Sequence, residues 1–158
     1  MVKIIVLPSG RSGQKTHRVL TGTIFTHYQY NDVTRYMQKT ILIIEDDERI
    51  RELLRTFLEA AGYLVVDAEN GAVGIKKYRE NTIDLVITDL IMPEKEGIET
   101  IRELKALNPQ VKIIAMSGGG VLDPEEYLSI AKRLGVLQTL AKPFSREEIV
   151  TAVNQACA

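Results

Sequence analysis

The sequence predicts an α/β fold: a doubly wound parallel sheet with helices on both faces. Three observations carry this expectation. From residue 41 onward, five short apolar runs alternate with helical patterns, giving five βα units in a row. Three of the runs are continuously apolar rather than alternating, as in strands covered on both faces. Several of the helical patterns carry their own start or stop signal.

The first run is Ile41–Ile44. Ile50, Leu53, Leu54, Phe57, Leu58 and Ala61 then recur at helical spacing, with Gly62 as the stop. The second run, Tyr63–Val66, is followed by a weaker helix after Asn70. The third, Leu85–Ile87, precedes a stripe of Ile98, Ile101, Leu104 and Leu107 that ends at Asn108-Pro109. The fourth, Lys112–Met116, precedes Asp123-Pro124-Glu125-Glu126, which reads as N-cap, proline at the first helical position and a Glu three residues after the cap. The fifth and weakest, Thr139–Ala141, precedes a capping box at Ser145-Arg146-Glu147-Glu148 and the apolar Ile149, Val150 and Val153.

A chain of 158 residues has room for one domain and a tail. Its 45% apolar and 26% charged residues are the balance of a soluble globular protein. The single cysteine, Cys157, excludes an intramolecular disulfide framework and fits a reducing, cytoplasmic compartment. No apolar run approaches the ~20 residues that span a bilayer. A net charge of −1 gives no electrostatic reason to bind nucleic acid. The charge is uneven, however. Residues 1–36 carry five basic residues against Asp32 alone, a net of +4, and the remainder carries 15 basic and 20 acidic residues, a net of −5. Both histidines, His17 and His27, lie in the first segment, so the larger part has no His base or His metal ligand. The expected organisation is an N-terminal extension over 1–36 and one domain over 37–158.

In a parallel sheet of this kind ligands bind beyond the carboxyl ends of the strands. Glu45, Asp46 and Asp47 follow the first run, Asp89 the third, Ser117 the fourth and Lys142 the fifth, whereas the second ends in Asp67 and Ala68 with nothing comparable. Taken singly, each has a plain structural reading: Asp47 as a turn residue or helix N-cap, Lys142 as solvated surface, Ser117 as loop. Taken together, one after each of four strands, they read as a site. Two carboxylates ~4 Å apart repel by about 4 kcal/mol at an effective dielectric near 20. Such a cluster needs a cation or a sharply raised pKa. Oxygen donors without His or Cys point to a hard cation, and few protein ligands favour Mg²⁺ with several retained waters. A carboxylate beside Mg²⁺, a lysine and a hydroxyl is a receptor for a phosphoryl group.

Ile41–Asp47, Thr88–Pro93, Met116-Ser117-Gly118 and Lys142-Pro143-Phe144 together resemble the receiver domain of bacterial two-component response regulators, of the single-domain type, over about residues 38–155. The resemblance implies a flavodoxin-like strand order of 2-1-3-4-5. It implies Asp89 as phosphoacceptor, and Glu45, Asp46, Asp89 and the backbone carbonyl of Ile91 around Mg²⁺. Asp46 is then the direct ligand and Glu45 acts largely through water. Ser117 corresponds to the switch hydroxyl and Lys142 to the lysine that offsets phosphoryl charge, with a cis Lys142–Pro143 bond. The implied donor is a histidine kinase or histidine phosphotransfer protein. The implied output is contact with a downstream protein, by a monomer or a weak phosphorylation-dependent dimer, without direct nucleic-acid binding, an attached output domain or enzymatic turnover beyond self-phosphorylation and slow self-dephosphorylation.

This sequence departs from the family pattern in three places. Thr139 stands where the family often has an aromatic, so the signal is expected through the loop and helix after Ser117. The Ser117–Lys142 segment is a few residues longer than usual. Pro8–Thr16 has the outline of a phosphate loop but puts Ser9 and Gln14 at the glycine positions, and it reads as part of an appendage. Three rival readings share much of this pattern. A flavin binder would need a phosphate loop where Glu45–Glu48 stand. A haloacid-dehalogenase-type phosphatase would want an Asp-x-Asp pair after the first run, whereas the second residue after Asp46 is Glu48. A degenerate receiver would lack a site residue, and none is missing.

Overall fold

The structure is a computed structural model, and it describes residues 38–92, 97–118 and 124–158. The expectations for residues 1–36, including Pro8–Thr16, His17 and His27, and for Pro93, Gly119, Gly120 and Asp123, lie outside the described residues. Lys39–Ala158 forms a compact unit.

Five strands alternate with five helices: β1 Thr40–Ile44, α1 Glu48–Ala60, β2 Leu64–Ala68, α2 Gly71–Glu80, β3 Leu85–Asp89, α3 Gly97–Leu107, β4 Ile113–Ser117, α4 Pro124–Arg133, β5 Gln138–Ala141 and α5 Arg146–Cys157. All neighbouring strands pair in parallel, in the order β2-β1-β3-β4-β5. Every expected run is a strand, with ends shifted by one or two residues. Tyr63 and Lys112 lie just outside β2 and β4, while Asp67, Ala68, Thr88, Asp89 and Ser117 extend the strands at their carboxyl ends.

The strand period of two divides the core. On one face Leu42, Ile44, Val86, Ile113 and Ala115 pack with Ile75, Ile101, Leu104 and Leu128 of α2, α3 and α4. On the other, Ile41, Ile43, Leu85, Ile87, Ile114 and Met116 pack with Leu54, Leu58, Ile149 and Val153 of α1 and α5. Burial on both faces is why the central strands are continuously apolar.

The caps follow the sequence signals. Asp47 is the N-cap of α1 and accepts from the N–H groups of Arg49 and Ile50. Asn70 caps α2 and Ser145 caps α5, the latter as a complete capping box with Glu148. After α1, Gly62 takes φ +92°, where a Cβ would be strained, and the Tyr63 N–H returns to Leu58 O. At the outer edge of β2, Arg55 donates to Val65 O and Lys77 to Asp67 O. Among the described residues no helix is long and apolar enough to cross a membrane.

Candidate functional site

The strand register assembles the site. Ile44 pairs with Thr88, so the next residues, Glu45 and Asp89, lie level at the carboxyl edge. Asp89 pairs with Met116, which puts Ser117 one step further out, and Ser117 pairs with Ala141, which puts Lys142 one step beyond that. Four sequence-distant residues thus climb along one edge of a twisted sheet.

The Lys142 amine is the centre of this edge. It lies 2.6 Å from Glu45 Oε2 and 2.7 Å from Asp89 Oδ2. Its backbone N–H donates to Ser117 O at 2.8 Å, and the Lys142–Pro143 peptide is cis. Asp89 Oδ1 accepts from the N–H groups of Leu90 at 2.7 Å and Ile91 at 3.3 Å. The Thr88 hydroxyl donates to Asp89 O. Glu45, Asp89 and Ser117 are buried, while Asp46 is exposed and forms the open side of the cluster. One carboxylate oxygen from each of Glu45, Asp46 and Asp89 lies within 4.8 Å of the others. Ile91 is half-buried, and its side chain packs on the apolar core beside Asp89.

Electrostatics follow from this crowding. Burial pushes the Glu45 carboxyl up to about 7; the Asp89 charge adds to the rise, and the hydrogen bonds from Lys142 and the Asp47 N–H oppose it. Burial alone would lower the Lys142 pKa, but its hydrogen bonds and charge pairs with Asp89 and Glu45 outweigh that cost and hold it above the ordinary lysine value. One ammonium therefore faces three carboxylates. The donors are all oxygen, and a single lysine leaves negative charge over, which fits a small hard dication.

The sequence did not reveal two features of this site. Gly97, at the start of α3, lies against the phosphoacceptor candidate's own backbone: a Cβ there would stand 1.9 Å from Asp89 O. Asp67 is paired with Arg51 and Arg55 of α1, and Arg51 donates to the carbonyls of Glu45 and Asp46. The available signal for the second was the spacing of Arg51 and Arg55, one helical turn apart.

Comparison with known proteins agrees with this geometry. Residues 41–154 match the family described as the response regulator receiver domain. The chain is 34% identical over 120 residues to the chemotaxis protein CheY of Bacillus subtilis (strain 168), covering 75% of this chain and 98% of the relative. It is 34% identical over 119 residues to sporulation initiation phosphotransferase F of the same strain, covering 75% and 94%. Among solved structures, response regulator protein TrrA from Thermotoga maritima, in complex with Mg(2+)-BeF, is similar at 31% identity with a TM-score of 0.68, covering 75% of this chain and 99% of that one. A receiver domain protein from Clostridium thermocellum is similar at 30% identity with a TM-score of 0.70, covering 75% and 94%.

Proposed function

The chain belongs to the response regulator receiver family, and from that premise we propose that it accepts a phosphoryl group on Asp89 from a histidine kinase or histidine phosphotransfer protein and signals by contact with a downstream protein. The observation that carries the reading is the Lys142 ammonium bridging Asp89 and Glu45 inside a cluster completed by Asp46. Family membership decides against the flavin-binding and phosphatase alternatives. Near-complete coverage of CheY supports signalling by a receiver acting through protein contact, and the family's phosphotransfer chemistry belongs with a cytoplasmic setting.

Glu45, Asp46, Asp89 and the Ile91 carbonyl would hold Mg²⁺, with Asp46 on the solvent side. The ion would supply charge neutralisation and alignment of the phosphoryl oxygens when bound. The protein does the rest. Asp89 Oδ1 is pinned by two backbone N–H groups, so Oδ2 is the attacking oxygen. A bond forms from Oδ2 to phosphorus as the bond from phosphorus to the donor imidazole nitrogen breaks, and the imidazole leaves with that electron pair. Lys142 passes from Oδ2 to a phosphoryl oxygen, keeping its positive charge where negative charge accumulates. Ser117, joined to Lys142 through backbone, turns its hydroxyl toward the phosphoryl group and draws the following loop with it.

A small phosphoryl donor with Mg²⁺ should add one phosphate to the intact protein, in a hydroxylamine-labile bond, and Asp89→Asn should abolish the addition. Phosphate that survives hydroxylamine, or that maps to Ser117, would refute the assignment.

A further inference from the structure

The loop carrying Glu45 and Asp46 leaves β1 at Ile44 and enters α1 at Glu48. Carbonyls in so short a connection have left the strand ladder and have not entered the helical one, so they need other donors. Arg51 supplies them. Its Nη1 lies 2.8 Å from Glu45 O and 3.1 Å from Asp46 O. Its Nε lies 3.4 Å from Asp67 Oδ2 at the end of β2, and the guanidinium side chain is only 15% exposed. Arg55 holds the other Asp67 oxygen, and the Glu45 N–H donates to Ala68 O at 3.1 Å. The loop is thus tied to the end of β2 by one backbone bond and one planar fork.

We propose that Arg51, anchored by Asp67, is a positioning residue that fixes the backbone of Glu45 and Asp46 and so sets the Mg²⁺ affinity of the acidic site; this rests on the metal-binding reading above. Three carboxylates held within 4.8 Å repel one another. The easiest relief is for the exposed Asp46 to swing into solvent, and that motion starts at the two carbonyls Arg51 holds. A guanidinium suits the task because one edge meets the carbonyls while Nε meets the carboxylate, which a lysine cannot reproduce. Groups that orient metal ligands from behind typically change metal affinity by 10–100-fold when removed.

The test uses the full chain, with Mg²⁺ affinity measured by displacement of Mn²⁺ and read as free Mn²⁺ by electron paramagnetic resonance. A urea midpoint is recorded for every variant. Arg51→Ala should bind Mg²⁺ about tenfold or more weakly, Arg51→Lys should recover part of the loss, and Asp67→Asn should show a smaller one. Asp46→Asn reports on the underlying site. Loss of affinity in Asp46→Asn with wild-type affinity in Arg51→Ala would overturn the positioning role, leaving Arg51 as a stabiliser of α1 seen only in the urea midpoint. Wild-type affinity in Asp46→Asn would overturn the metal reading itself, and the proposal with it. If Arg51→Ala does not fold, wild-type affinity in both Arg51→Lys and Asp67→Asn would overturn the proposal.

Discussion

Replacing Gly97 by Ala should damage phosphorylation more than it damages the fold. A Cβ built at Gly97 lies 1.9 Å from Asp89 O, 2.6 Å from Leu90 Cα and 2.8 Å from Asp89 C, and contacts under 3.0 Å are essentially never seen. All three atoms are backbone, so no side chain can rotate away. Either the start of α3 or the end of β3 must move by about 1 Å, and the Gly97 N–H to Leu90 O bond ties those two segments together. Overpacking of this kind costs about 1–3 kcal/mol, against a total stability of about 5–15 kcal/mol for a domain, so the variant should fold. A displacement of about 1 Å at a reacting group can cost about 100-fold in rate. Gly74→Ala is the control. The three atoms nearest its Cβ would all belong to the Ile44 side chain, Cδ1 at 2.5 Å, so it should lose stability of similar size while phosphorylating at close to the wild-type rate. The assay is the rate of phosphate addition from a small donor at saturating Mg²⁺, beside the urea midpoint of each protein. A Gly97→Ala protein with wild-type rate and midpoint would refute the argument.

Three further outcomes are expected. Glu45, nearly fully buried and with a pKa raised to about 7 chiefly by burial, keeps its proton in the folded state after the unfolded chain has lost it. Metal-free stability should therefore fall as pH rises from about 4.5 to 7, by up to about 3 kcal/mol; Glu45→Gln should flatten that slope in thermal melts with chelator, and an unchanged slope would count against it. The resemblance to receiver domains implies that the positions two beyond Asp89 and two beyond Ser117 flank the approach of an attacking water; Ile91 has no hydrogen-bonding side-chain group and Gly119 no side chain, so the phosphorylated state should be long-lived. Replacing Ile91 by Asn and Gly119 by Glu should speed single-exponential decay, a tenfold gain needing about 1.4 kcal/mol, and a wild-type half-life of seconds unaffected by the double change would defeat the idea. A chain starting at Met37 should fold and accept phosphate like the full chain, since residues 1–36 supply no residue of the proposed site; a large drop in melting temperature on truncation would contradict this.

The sheet and its acidic edge were legible because their signals are local: apolar runs, caps, and the residues that follow each run. The weak pattern of α2 has a physical cause. Its buried face includes Gly71 and Gly74, and Gly74 lies against Ile44, so the contact is made by absent side chains that a hydropathy pattern cannot register. Asp67 is not legible as part of the site because its partners stand 12 and 16 positions back, on another element. Gly97 has an ordinary backbone conformation, and only the proximity of β3 makes its missing side chain matter. Asp47 could be read either as turn or as cap, and its bonds to Arg49 and Ile50 make it a cap.

The two rims of the sheet bear on how copies of this chain can meet. A parallel strand alternates its carbonyls between neighbours, and Ala68 O faces β1 through Glu45, so Val65 O and Asp67 O point outward. Those are the carbonyls taken by Arg55 and Lys77. The opposite rim, β5, is four residues long and runs into Pro143 two residues later, where no N–H is available. An incoming strand would find its acceptors occupied at one rim and little ladder at the other. Edge-to-edge growth, the usual hazard of an open sheet, is thus blunted at both ends of the described sheet.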